Sequence, residues 1–222
     1  MDKRLFFLYV FVIIFTFNIE GSFSKNPSNY DMIGLRGGIW RVSHSKSIVA
    51  PPEYKVSTET YSPYMELFFT HGLKKDFSLE ILFGSLSRGE TRFDLAEGYY
   101  WESVNINHLS VGGKYSLLNS EKAKNLWHPY LDAGLSFVLG SRNLDYGSFG
   151  SDERDFFSGF VKTKSAFGFF AGSGLDFSLS EVLWLNMDLK YQWAKFGSEF
   201  GGLKNYGGIR LNLGLSYVIK EI

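Results

Sequence analysis

The sequence contains no cysteine, which excludes both a disulfide framework and a lipid-modified N-terminal cysteine. Proline is scarce, with 5 residues in 222. The chain has no net charge, with 23 Lys and Arg against 23 Asp and Glu, so there is no electrostatic case for binding nucleic acid. After residue 24 no apolar run approaches the roughly 18 residues of a membrane-spanning helix, which excludes helical spans from the rest of the chain.

Aromatic residues and glycine are abundant instead. Aromatics make up 18% of the chain, and there are 24 glycines. Together with the shortage of proline, this composition is typical of a protein built from many closely spaced strands.

The N-terminus has the order of a secretory signal. A basic start precedes an apolar run at 5–17, and the small residues Ser22 and Ser24 follow. A helix of that run reaches only about 20 Å, short of the roughly 30 Å hydrocarbon core, so a permanent anchor is the weaker interpretation. We therefore expect a signal peptide at 1–24 and one domain at 25–222.

Eight segments alternate between apolar and polar residues with period 2, the pattern of a strand with two different faces. The clearest is 183–193, LWLNMDLKYQW. Most segments have 10–12 residues, the length that a tilted transmembrane strand needs and about twice that of an average strand. The other seven predicted strands are Met32–Val42, Tyr61–Thr70, Phe77–Leu86, Ile106–Leu117, Tyr130–Leu139, Phe167–Phe177 and Ile209–Ile219.

The connections alternate in length, as they do in outer-membrane barrels, whose periplasmic turns are short and extracellular loops long. The long ones are 43–60, 87–105, 140–166 and 194–208. The short ones are 71–76, 118–129 and 178–182. A chain delivered from the periplasm would place the long loops outside.

Glycine decides which strand face points inward. No charge interrupts the apolar faces in mid-strand, and these faces carry only Gly37 and Gly113. The polar faces hold ten glycines, which a solvated face would not favour but a narrow interior filled by side chains requires. The sequence therefore predicts an all-β fold, an eight-stranded antiparallel up-and-down transmembrane β-barrel with a filled polar lumen.

Nine charged residues then point into the lumen, where they would form salt bridges because unpaired buried charges are costly. We expect Arg36 near Glu66, and Asp188 near Arg210. Glu80, Lys114 and Asp132 form a third group. A structural network is the simpler interpretation, and a gated narrow pore or proton-linked plug is the alternative. The predicted lumen network is Arg36, Glu66, Glu80, Lys114, Asp132, Asp176, Asp188, Lys190 and Arg210.

Aromatic residues mark the strand ends, as the girdles at the two membrane interfaces require. The predicted girdle is Phe77, Tyr115, Phe177 and Tyr217 on the turn side, with Tyr191 and Trp193 on the loop side.

Signals for catalysis are thin, and we expect no catalytic residue, metal site or cofactor. His44 lies between Ser43 and Ser45 in a loop, but adjacency alone does not make a triad. His108 faces the lumen with Ser110 and Lys114, as a satisfied interior histidine, whereas His71 and His128 flank turns at the periplasmic interface. The run SDERD at 151–155 lacks calcium-loop spacing. The aromatic loops 93–105 and 144–160 would bind an extracellular ligand, or pack over the mouth and lie among headgroups.

Two stretches resemble the small eight-stranded outer-membrane β-barrel proteins of diderm bacteria. The stretch 127–137, WHPYLDAGLSF, is similar to the Pro-Tyr-x-x-x-Gly opening of a middle strand in that group. The stretch 167–193 resembles its Gly-x-Gly-x-aromatic strand with a short turn and an alternating partner. The resemblance covers about 30–219 and implies insertion by the outer-membrane assembly machinery and contact with outer-membrane lipid. One departure is the end YVIKEI, because such chains usually end on an aromatic residue.

Members of that group serve as structural anchors, adhesins, small-molecule channels and lipid A-modifying enzymes, so the resemblance fixes no single function. Our hypothesis is a structural or surface-interaction role in the bacterial outer membrane. The alternatives are a narrow channel for small or hydrophobic solutes and a lipid A-modifying enzyme. A soluble lipid-binding barrel is the structural alternative.

Overall fold

The computed structural model describes residues 30–42, 61–74, 76–95, 98–118, 127–148, 161–200 and 203–221. The predicted signal peptide, the loop with His44 and the acidic run 151–155 lie outside these residues. In the part of the chain that the structure describes, no helix is long and apolar enough to cross a membrane.

Eight long strands and one short strand form a closed antiparallel barrel. Each long strand pairs with its neighbours in sequence, and β1 pairs with β9 to close the wall. The three-residue β8 extends the hairpin between β7 and β9. The strands are β1 Tyr30–Val42, β2 Tyr61–Lys74, β3 Phe77–Leu95, β4 Gly98–Ser116, β5 Trp127–Ser148, β6 Val161–Ser178, β7 Leu183–Phe200, β8 Leu203–Asn205 and β9 Gly208–Glu221.

The register fixes the width of the barrel. We start at Met32 on β1 and move from each residue to its register partner on the next strand. After one turn around the barrel this path returns to β1 at Val42, so the stagger is ten residues. With eight strands, that stagger tilts the strands by about 40° from the axis. A barrel of this size has an interior that side chains fill, without an open aqueous channel.

Even-numbered residues face inward in all eight long strands. The burial pattern of β1, for example, is buried at Trp40 and Val42 and exposed at Ile39 and Arg41. The same parity holds in the other strands up to the loop end of the wall, where side chains of β6 are exposed on both faces. The predicted inward and outward faces of all eight strands therefore agree with the structure.

Several strands are longer than predicted at their loop ends. The predicted loop 87–105 is mostly strand, because β3 runs to Leu95 and β4 begins at Gly98. In the same way β5 continues to Ser148, and β6 begins at Val161. In the sequence of these extensions polar residues stand at odd and even positions alike, so period 2 gave no signal there although the backbone ladder continues. We call the extended parts of β3 to β6 the outer sheet.

Candidate functional site

The outer wall of the barrel is an apolar belt. Leu189 and Leu211 are each 51% exposed at mid-height, although each is a large aliphatic side chain. Exposed apolar area of this extent costs free energy in water but is favourable in hydrocarbon. The exposed belt residues include Ile33, Leu35, Ile39, Met65, Leu67, Ile81, Phe83, Leu109, Val111, Leu131, Leu135, Phe137, Phe167, Phe169, Met187, Ile209, Leu213 and Leu215.

The six predicted girdle residues lie on the outer wall. Four of them lie near the turn ends of their strands, whereas Tyr191 and Trp193 lie in the middle of β7, because that strand continues to Phe200. Phe77 and Tyr115 are register partners on β3 and β4, and Tyr217 pairs with Leu183. Phe177 packs on Trp127 with 4.8 Å between the ring centroids, and Trp193 stacks on Phe169 with 5.4 Å between them. Tyr191 is exposed. Trp127 was missed because β5 begins three residues before the predicted start.

All nine predicted lumen charges are buried inside the barrel, each at most 4% exposed. Arg36 is the hub of the network. Its guanidinium donates to Glu80 and Asp188 at 2.5 Å each and lies 3.3 Å from Glu66. The same group lies 3.7 Å above the ring of Phe68. One cation thus holds three carboxylates in a dry interior, where such contacts are strong.

Lys190 is the second hub. Its ammonium lies 2.7 Å from Asp132, 3.2 Å from Glu80 and 3.8 Å from Asp188. Lys114 lies lower in the lumen and donates to Asp176 at 2.5 Å.

The predicted groupings were only partly right. Arg36 and Glu66 do pair, but Asp188 contacts Arg36 and Lys190, whereas Arg210 donates to Glu66 at 3.1 Å. Lys114 is the register partner of Asp132, yet its ammonium reaches Asp176 instead. The lumen is narrow enough for long side chains to cross it, so sequence neighbours on adjacent strands do not decide the partners.

A hydrogen-bonded chain lies above the charge network. His108 Nδ1 contacts Ser110 Oγ at 2.8 Å, and Ser110 contacts Ser136 at 2.6 Å. On the other side, His108 Nε2 lies 2.6 Å from Tyr64 Oη and 3.0 Å from Arg210 Nη1. Because arginine can only donate, Nε2 accepts and Nδ1 carries the proton. His108 is therefore a satisfied interior histidine, as predicted, with Ser110 but not Lys114 as its partner.

An apolar cluster closes the lumen at the loop end, and we call it the mouth cluster. The hairpin between β7 and β9 folds inward and places Phe196, Phe200, Leu203 and Tyr206 in the mouth, each at most 4% exposed. Tyr206 Oη donates to the Phe200 carbonyl at 2.6 Å, which pins the hairpin. Its other members are Trp40, Val42, Tyr64, Leu86, Val104, Ile106, Val138, Ala166 and Ala194.

The mouth cluster was not predicted, because 194–208 was interpreted as a loop. The even-numbered positions Phe196 and Phe200 carry a signal, since they continue the inward parity of β7. The glycines around Tyr206 obscured it.

The glycine pair Gly112 and Gly134 shows how tightly the lumen is packed. They face each other across β4 and β5, and the ring of Phe170 covers both. A Cβ on Gly134 would stand 2.5 Å from Gly112 Cα and 2.7 Å from Phe170 Cε1.

We expect Gly134→Val to lower the free energy of unfolding by about 1–3 kcal/mol, because overpacking forces its neighbours out of place. Ala133→Val is the matched control, since Ala133 points out of the barrel on the adjacent residue. Urea unfolding in detergent micelles measures both. Equal losses in the two variants would contradict an interior close-packed at Gly134.

The two other described histidines, His71 and His128, each contact a neighbouring side chain. His71 Nδ1 lies 2.6 Å from Asp31 on the outer wall at the turn end. His128 was expected at the interface but is 2% exposed inside the lumen, 5.1 Å from the ring of Trp184. β5 begins at Trp127, and this early start places His128 on the inward face of the strand. The proline at 129 concealed the early start in the sequence. Among the described residues, no group of three His, Cys, Asp or Glu side chains is placed to hold a metal ion.

Comparison with solved structures identifies the fold. The chain is similar to the outer membrane protein OprG of Pseudomonas aeruginosa, with 15% identity, 87% of this chain and 98% of that one covered, and a TM-score of 0.54. It is also similar to a major outer membrane protein of Thermus thermophilus, with 12% identity, 86% and 98% coverage, and a TM-score of 0.53. No protein-family profile and no curated protein sequence matches the chain.

The fold and the belt together define the class: the chain has the fold of the small eight-stranded outer-membrane β-barrels. Its wall is closed by strand pairing up to Gly168 and Ala194, and its lipid-facing side is apolar, which is what a spanning strand structure requires. The predicted fold class is thereby confirmed, and the soluble barrel with an inward apolar face is wrong.

Proposed function

We propose that this barrel does not conduct and works at its outer surface, in a structural or surface-interaction role without catalysis. The observation that carries the proposal is the filling of the lumen by two successive layers. The first layer is the charge network around Arg36 and Lys190, whose side chains are 0% exposed. The second layer is the mouth cluster, which covers the charge network. A solute would have to break several buried ion pairs to pass.

The outer sheet supports the surface role. β3 and β4 stay paired as far as Leu95 and Gly98, and β4 and β5 as far as Gly98 and Ser148. The hairpin tips are thus carried beyond the belt on hydrogen-bonded strands. Binding residues commonly lie on loops that a rigid scaffold positions, and an extracellular ligand would bind here.

The orientation and the route to the membrane are part of the same proposal. A signal peptide at 1–24 would deliver the chain to the periplasm, and the outer-membrane assembly machinery would insert it. The short turns would then remain in the periplasm, and the outer sheet would face the medium.

Conductance across planar lipid bilayers tests the closed lumen. We expect no unitary currents from the wild-type protein, and none from Phe200→Ala, because the charge network remains when the mouth cluster is loosened. Stable unitary currents from the wild-type barrel would contradict the proposal. A shift in gel mobility between boiled and unboiled samples shows that each inserted protein is folded.

A second function, the uptake of small hydrophobic solutes, is favoured by one feature of the wall. β6 and β7 pair only from Gly168 and Ala194 downward. Above that point Val161–Phe167 has β5 as its described partner, beside the mouth cluster. Saturable binding of a fluorescent apolar probe, reduced by Ala166→Trp, would favour this function over the first.

Modification of lipid A is the remaining alternative. His108 and Ser110 are each 1% exposed and out of reach of a lipid, and His44 lies outside the described residues. Lipid mass spectra that change on expression of the wild-type protein, but not of His44→Ala, would establish catalysis.

A further inference from the structure

The described outward-facing side chains at the two rims of the barrel differ in charge. Among the described side chains at the turn end, the outward charges are acidic at Asp31, Asp76 and Glu181. Those exposed at the loop end are Arg41, Lys162, Lys195 and Lys204.

Two of these cations lie on the outer wall directly above the belt. Arg41 on β1 pairs with Ile209 on β9, and Ile209 pairs with Tyr191 on β7. Lys195 lies four residues further along β7. Two strand spacings across the sheet, about 10 Å, and four residues along β7, about 13 Å, place the Cα atoms of Arg41 and Lys195 about 16 Å apart. The strand tilt brings both to the loop end of the belt.

Aromatic rings accompany both cations. The Arg41 guanidinium lies 5.6 Å from the ring centroid of Tyr61, its register partner on β2. Trp193, two residues before Lys195, stacks on Phe169. Aromatic rings next to cations mark the depth of the headgroups, where apolar and charged surroundings meet.

Neither cation has an ion-pair partner among the described side chains. Within the described ranges, no carboxylate lies within ion-pair distance of Arg41 or Lys195, whereas Arg142 in the outer sheet is held by Glu102 at 2.8 Å. These two side chains therefore remain available for an external anion.

We propose that Arg41 and Lys195 form a binding site for the phosphate groups of an outer-leaflet lipid. Guanidinium binds phosphate through paired hydrogen bonds, and ammonium binds it as a point charge. Ile39 and Ile209 lie directly below, 47% and 48% exposed, so the acyl chains of the same lipid would pack on the belt. That continuity favours a lipid over free phosphate. The proposal rests on the outward orientation of the loop end given under the proposed function.

The test uses the full mature chain in a neutral detergent and native mass spectrometry with diphosphoryl lipid A. We expect the Arg41→Gln/Lys195→Gln double variant to lose about tenfold in affinity, the effect of one or two charge-assisted hydrogen bonds. The matched control, Lys162→Gln/Lys204→Gln, removes the same charge away from the belt and should keep its affinity. Millimolar inorganic phosphate should not displace the lipid.

Equal lipid affinity of the double variant and the wild type would overturn the site. An equal loss of affinity in the control variant would mean that the lipid binds through non-specific charge attraction and not at this site. Displacement by inorganic phosphate would overturn the choice of a lipid. Because the chain has no cysteine, Lys195→Cys can be labelled with an impermeant maleimide on whole cells, with Glu181→Cys as the unlabelled control. Labelling of Cys at 195 without lipid binding would reject this site alone, whereas labelling at 181 would reject the orientation.

Discussion

Replacing Arg36 with methionine is expected to lower the free energy of unfolding by about 3–5 kcal/mol, the cost of leaving buried charges without their partner. Methionine keeps much of the volume above the Phe68 ring but offers no hydrogen to Glu66, Glu80 or Asp188. All three carboxylates are fully buried. Urea unfolding in micelles, followed by the loss of the heat-dependent gel shift, measures the change.

Two further variants separate charge from packing. Arg36→Lys retains the charge but only one donor group, and should lose less than Arg36→Met. The double variant Arg36→Met/Glu80→Gln removes one of the stranded charges and should recover part of the loss, as a double-mutant cycle reports. If Arg36→Met unfolds like the wild type, the network contributes nothing and the lumen is held by packing alone.

Placing arginine at Leu189 is expected to destabilise the barrel by about 2–4 kcal/mol, because the charge would then lie near the middle of the hydrocarbon. Leu189 points outward on β7 between Ser173 and Leu211. The measurement is the free energy of unfolding in lipid vesicles, where the hydrocarbon core is intact.

Thr163→Arg is the matched control, since Thr163 lies exposed on the outer face of β6 beyond the belt. It should cost no more than about 1 kcal/mol, as charges near the interface do. Equal stability of Leu189→Arg and Thr163→Arg would mean that the apolar wall does not face lipid.

The strands of the belt could be predicted because every one of them has two chemically different surroundings. Leu189 meets lipid and Lys190 meets the lumen, so alternation is forced, and Gly134 and its partner mark the crowded side. In the extension of β3 to Leu95, polar residues such as Glu90 and Thr91 stand at even and odd positions alike, so alternation left no such signal there.

For the lumen, the sequence predicts which residues lie inside the barrel but not which of them contact each other. Burial follows from parity, so each lumen charge could be assigned to the interior. Partners depend on how far a side chain reaches across a narrow barrel. Lys114 prefers Asp176 over its register partner, and Phe200 enters the mouth from a segment that looks like a loop. Both results depend on the closed three-dimensional arrangement.

The pairing of β1 with β9 joins the first strand to the last. A nascent chain that stops before Gly208 leaves one unpaired edge on β1 and another on β7, the strands that β9 would bridge. Unpaired edges invite addition of foreign strands and aggregation. The wall therefore closes only when β9 is in place, and without that strand the backbone of β1 and β7 would stay exposed.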